Sequence, residues 1–213
     1  MNAEKVNVYK ACDKAIHAMN RENVEAFGRL KSLAKSDQLN VIRTVVTVYQ
    51  ESARKARKRY RKVGDDAYLL GLLLCGITGQ EASRMAESAI TDEWIATMLS
   101  EPDPVTLYSF DAETERKAYR LAEALEVTDD RNAEIDRALR YWSLQLAQYA
   151  INATDYALIQ AYMDAGIEEV RWITQRDEKV CRECRPRDGK VYSIDEVPVK
   201  HMRCRCLLIP VIE

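Results

Sequence analysis

Residues 169–210 run EVRWITQRDEKVCRECRPRDGKVYSIDEVPVKHMRCRCLLIP, and the rest of the chain is organised around them. Four of the six cysteines and one of the two histidines fall between positions 181 and 206. A Cys-x-x-Cys pair, Cys181 and Cys184, lets one tight turn aim two sulfurs at a point. A second pair from the next strand or turn then completes a tetrahedral zinc site. Five donors compete for four places: Cys181, Cys184, His201, Cys204 and Cys206. The expected set is Cys181, Cys184, His201 and Cys204, with the last two sharing a turn. Cys206 is the alternative ligand, because Cys204 and Cys206 would share one face of a strand. Asp188-Gly189 is a hairpin signal between the two halves, where a two-strand ribbon turns.

Three other readings compete with a metal: disulfides, a redox Cys-x-x-Cys, and thiols that simply pack. No signal-peptide pattern opens the sequence, so an oxidising compartment has no support. A redox pair would sit after a strand and open a helix, whereas Pro186, Asp188 and Gly189 disfavour a helix there. One structural zinc ion is therefore the expected cofactor. Its coordination shell would be closed, and it would hold together a module too small to have much core of its own.

The same residues resemble a known family. Trp172-x-Thr174-x-x-Asp177, Cys181-x-x-Cys184, Asp188-Gly189-Lys190 and His201-x-x-Cys204-Arg205-Cys206 follow the order of the C-terminal domain of the Mu F-like head morphogenesis proteins of tailed phages. The family tends to place prolines on either side of the histidine. Here Pro198 comes earlier, and Met202-Arg203 follow. The resemblance implies a minor head (minor capsid) protein engaging the portal or capsid interior in head assembly and DNA packaging. Its partners would be portal and capsid proteins, with DNA as a further one. Its place would be the virion head interior or portal vertex, after assembly in the host cytoplasm.

Upstream, the sequence reads as helical. Only 7 glycines and 5 prolines occur in 213 residues, which argues against a many-turned β fold. Charged residues make up 31% with a net charge of −2, so bulk attraction to nucleic acid is not expected. The longest apolar run, Ala67 to Ile77, is too short to span a bilayer, and no membrane partner is expected. Helices are expected over 3–19 and 22–35, with Asn20 and Ser36 as N-caps, and from Asp37 to about Lys62. Gly64 should end that helix, and a short apolar one should run from Asp65 to Gly76. Its leucines, Leu69, Leu70, Leu72, Leu73 and Leu74, must be covered by something. Thr78-x-x-Glu81 reads as a capping box opening a helix to about Ser100, which Pro102 and Pro104 end. Two more helices follow, over 111–126 and from a cap at Thr128 or Asp129 to a C-cap at Gly166. Cys12 and Cys75 are isolated and read as ordinary packed thiols. His17 has no orienting partner nearby and is expected to have no chemical role.

The sharpest charge feature is Arg54, Lys55, Arg57, Lys58, Arg59, Arg61 and Lys62, seven bases in nine residues. It can meet phosphate or an acidic partner, or be a solvated helix end favoured by the dipole. No Gly-rich phosphate loop, Ser-His-Asp set or His-Glu-x-x-His helix is present, so neither an enzyme nor a small-molecule substrate is expected. An HNH-like nuclease is the nearest catalytic rival, but no second His and no Asn follow His201 to complete its site. A nucleic-acid-binding zinc-ribbon protein, using Arg203 and Arg205 with the 54–62 run, is the nearer alternative. The expected architecture is a mainly α-helical body over 1–166, with a sub-boundary near 101–110. A small C-terminal zinc-ribbon-like β module over 167–213 makes the chain α+β overall.

Overall fold

The computed structural model describes residues 8–33, 40–102, 107–174 and 182–212. The expected features at residues 3–7, Ser36, Asp37, Pro104, Asp177 and Cys181 lie outside them. Among the described residues six α-helices precede a small three-stranded antiparallel sheet, which is the expected α+β architecture.

Helix α1, Lys10–Leu33, is continuous where the sequence suggested two helices. Its buried residues Cys12, Ala15, Met19, Asn23, Ala26, Phe27 and Leu30 keep i, i+3, i+4 spacing straight through Asn20, so nothing breaks the stripe. Asn23 is polar yet belongs to that stripe, because its Oδ1 accepts from Ser52 Oγ at 2.5 Å. Ser52 Oγ in turn accepts from Trp142 Nε1 at 2.8 Å. This relay ties three helices together.

Helix α2, Val41–Leu74, is also single, about 51 Å long at the standard rise. Asn40 caps it, its side chain accepting from Arg43 N at 3.1 Å. Gly64 does not end it. It is buried within the helix, where a Cβ would lie 2.9 Å from Ile90 Cγ2, so its role is close approach rather than termination. The helix stops at Gly76, at φ +84°, where Gly76 N–H bonds Leu73 O and Ile77 N–H bonds Leu72 O. Of its terminal leucines only Leu72 is fully buried, while Leu69 and Leu73 are exposed.

The stretch expected to form one helix to Ser100 forms two: α3, Gly79–Ala89, and α4, Asp92–Ser100. Thr78 occupies the N-cap of α3 but makes no side-chain capping bond there. Thr91 supplies the capping hydroxyl of α4, accepting from Trp94 N at 3.0 Å. Helix α5, Phe110–Val127, is capped by Ser109. Helix α6, Arg131–Asp164, is capped by Asp130, one residue beyond the expected Asp129. Gly166, at φ +74°, ends α6, with Ile167 N–H bonded to Tyr162 O and Gly166 N–H to Met163 O.

Phe27, Tyr49, Trp142, Phe110, Tyr149 and Tyr60 form a connected chain of ring contacts among α1, α2, α5 and α6. The sheet, β1 (Glu169–Ile173), β2 (Val191–Ser193) and β3 (Leu207–Pro210), has β1 in the middle. It is thus a three-stranded sheet and not a two-strand ribbon. Alternation along β1 buries Val170 and Trp172, and these join Leu208 and the body's core in one hydrophobic cluster.

Candidate metal centre

Cys184 is placed by β1 and by the 3₁₀ turn Arg185–Arg187 that follows it. Pro186 suits that turn through its fixed φ, and Arg187 N–H bonds Cys184 O at 2.9 Å. Asp188 and Gly189 then return the chain to the sheet. Asp188 Oδ1 accepts from Thr174 N at 2.8 Å, and Gly189 N–H bonds Trp172 O at 2.8 Å while Trp172 N–H bonds Lys190 O at 2.9 Å. Trp172 thus faces two residues, a bulge with glycine at φ +76°, rather than a two-residue hairpin turn.

His201 and Cys204 are brought together by the turn foreseen from their spacing. Cys204 N–H bonds His201 O at 3.0 Å. Arg203, the turn's third residue, has φ +57°, a position where glycine is usual. His201 Nδ1 lies 2.9 Å from Met202 O. A carbonyl only accepts, so this contact fixes the tautomer that puts the ring lone pair on Nε2.

The donor atoms of Cys184, His201 and Cys204 all lie within 4.8 Å of one another, and among the described residues they form the one such Cys/His/Asp/Glu group. Cys184 Sγ and Cys204 Sγ are 3.6 Å apart. Two thiolates on a tetrahedral zinc at about 2.3 Å would stand about 3.8 Å apart, whereas a disulfide needs about 2.05 Å. Both cysteines are buried thiols outside any disulfide, and His201 is half-buried. Donor chemistry and spacing therefore suit a thiophilic divalent ion. Cys206 is buried beside both thiols but is not part of the mutual group. Cys181, the fourth expected ligand, lies outside the described residues.

The sulfurs are electrostatically unequal. A hydrogen bond to Cys206, with burial added, pushes the Cys204 thiol well up. The same bond, accepted by Cys206, holds the Cys206 thiol below its ordinary value. Trp172 Nε1 is buried and lies close enough to Cys206 for its N–H to favour the thiolate, although among the described residues it makes no hydrogen bond of ordinary geometry. A buried N–H directed at a sulfur suits a site where the sulfurs bear negative charge. By contrast, burial raises Cys12 to about 12 and Cys75 to about 11, as expected of packed thiols.

Sequence reading missed the residues that hold the donor loop 200–206 to the body. Lys200 Nζ, 13% exposed, donates to Cys206 O at 2.7 Å and to Asp155 Oδ1 at 2.9 Å. Tyr9 OH donates to the same Asp155 oxygen at 2.8 Å. Arg205 forms a two-point pair with Asp13, at 2.9 and 3.1 Å, and lies over the Tyr9 ring. Arg203 N–H donates to Gln148 Oε1 at 2.5 Å, and Tyr162 OH to Leu208 O at 2.9 Å. Tyr9 and Gln148 belong to no motif, and only the tertiary fold brings them to the loop.

The basic run divides cleanly. Arg57 pairs with Asp111 at the start of α5, Arg59 with Glu22 of α1, and Arg61 with Asp92 of α4 at 2.7 Å. Arg54, Lys55, Lys58 and Lys62 are exposed, and helical spacing puts them on one stripe of α2. His17 is exposed on α1. No described helix is long and apolar enough to cross a membrane.

Residues 116–209 match the family model described as Phage Mu protein F like protein. The match contains the donor loop and all of the sheet but Pro210, and it names the family to which the 169–210 motifs point. No curated protein and no solved structure matches the chain.

Proposed function

We propose that this chain, Mu F-like over its C-terminal region, is a non-enzymatic structural component of a phage head. On this reading it engages the portal or capsid interior during head assembly and DNA packaging, with one structural zinc in its C-terminal module. The observation that supports it most is the family match, which runs through the candidate metal centre. The helical body offers the assembly contacts, and exposed Leu69 and Leu73 near the end of α2 are one apolar feature available for them. A zinc held by Cys184, His201 and Cys204 plus one more thiolate has a closed shell. It would join the 3₁₀ turn to the donor loop without activating water. His201 beside two thiols is a ligand in this account, which leaves a nuclease without its base.

Co-expression of the chain with the portal and major capsid proteins of the same virus tests the assembly role. The chain should sediment with procapsids, and omitting the portal should release it if the portal is its contact and leave it in place if the capsid interior is. A chain that stays at the top of the gradient in both cases contradicts the proposal. A second reading, nucleic-acid binding, draws on the exposed stripe of Arg54, Lys55, Lys58 and Lys62, and its mark would be a steep salt dependence.

A further inference from the structure

The donor loop combines three features. Its central turn has Arg203, a non-glycine residue, in the left-handed region. The peptide N–H of that residue is bonded by Gln148 Oε1 from α6, and Gln148 is buried, with its Nε2 donating to Asn152 Oδ1 at 2.8 Å. The loop's ends are closed by Lys200 Nζ on Cys206 O, and the same ammonium is hung on Asp155, to which Tyr9 also donates. The Gln148 and Asp155 contacts are made to Arg203 N–H and Lys200 Nζ, not to a donor atom of the metal group. All of them bear on where His201 and Cys204 point.

We infer that Gln148 and Asp155 of α6 are positioning residues for the metal centre, so that the helical body, through the shape it gives loop 200–206, sets the affinity of the C-terminal module for zinc. The inference rests on the metal reading above. A turn that would by itself relax away from the left-handed conformation presents His201 and Cys204 at scattered angles. Gln148 removes that freedom by accepting from the strained peptide, and the Asp155–Lys200 pair removes it at the loop's ends. Pre-organisation of this kind appears as metal affinity, since the unbound site no longer loses loop entropy on binding.

The test is zinc titration of the full chain against a competing chromogenic chelator, under reducing conditions. Gln148→Met has nearly the same volume and no oxygen acceptor, and it should weaken zinc binding by about 10- to 100-fold. Gln148→Glu keeps the acceptor, while Asn152 can turn its amide to donate, and it should bind within about threefold of the unmodified chain, a far smaller change than outer-shell loss produces. Adding Arg203→Gly to Gln148→Met should recover most of the lost affinity, because glycine adopts the turn unaided. Asp155→Asn gives an independent weakening at the loop's ends, and it still reads the inference if the Gln148 variant fails to fold. Unchanged zinc affinity in folded Gln148→Met or Asp155→Asn overturns the inference, as does a loss that Arg203→Gly fails to relieve. An unmodified chain that takes up no zinc overturns the metal reading itself, a failure distinct from tight binding that the variants leave untouched.

Discussion

Gly71 lies where α2 crosses α6, and a Cβ there would stand 2.6 Å from the Ala161 Cβ and 3.4 Å from Leu158 O. Neither neighbour has a flexible end that could move aside. Gly71→Ala should therefore destabilise the chain by about 1–3 kcal/mol in denaturant unfolding, the usual range for overpacking. The gain of about 1 kcal/mol in helix propensity is common to both sites, but Gly64→Ala meets side chains alone, Ile90 Cγ2 nearest, so it should cost clearly less. Equal losses at the two sites would contradict this account of helix packing. Glu113, 3% exposed at its side chain, shows a second residue-scale balance. Burial opposes its ionisation, but hydrogen bonds from Arg116 and the charge of Lys117 win, and its pKa is lowered. A lowered folded pKa stabilises above the unfolded carboxyl value, about 4.3, and that stabilisation is lost as pH falls through the folded value. Glu113→Gln should lower stability at pH 7 and flatten its fall below about pH 4, as read from melting temperature against pH. Such roles were not legible in sequence. Gly64 carries the same signal whether it ends a helix or lets another chain segment approach.

At the scale of elements, a continuous buried stripe decides how far a helix runs, and a single local breaker does not. Asn20 and Gly64 carry boundary signals in the sequence, yet the buried stripes of α1 and α2 run through both. Helix α2 is instead stopped by Gly76, where a positive φ and two backbone bonds end it. The basic run divides into paired and exposed bases. Its three paired arginines join α2 to α1, α4 and α5, and such exposed pairs are worth up to about 1 kcal/mol each. Replacing Arg57, Arg59 and Arg61 with Gln should lower the melting temperature. Replacing Arg54, Lys55, Lys58 and Lys62 with Gln should leave it nearly unchanged. The second set should reduce the salt slope of any duplex-DNA binding by up to about 4, with the first set altering it less. The reverse pattern would contradict the division of the run.

For the whole molecule, the metal pattern was the most legible feature, because Cys184, His201 and Cys204 lie within 21 residues of sequence and are brought together as their spacing implies. The attachment of the module was not legible. Asp13 and Arg205 are 192 positions apart, and only the packing of α1 on α6 makes them neighbours. Trp172, Cys184, Cys204 and Cys206 share one core with the helical body, so the module borrows its apolar burial from α1 and α6. Removal of zinc should then loosen the 182–206 region while leaving most helical signal intact, as seen by limited proteolysis beside circular dichroism. Wholesale loss of helix on chelation would contradict that division. The account depends above all on the metal. Elemental mass spectrometry of the purified full chain, reduced and free of chelator, should find about one zinc per chain, falling towards zero in Cys184→Ser, as a closed structural site requires. Zinc absent from the unmodified chain, or retained in full by Cys184→Ser, would contradict it.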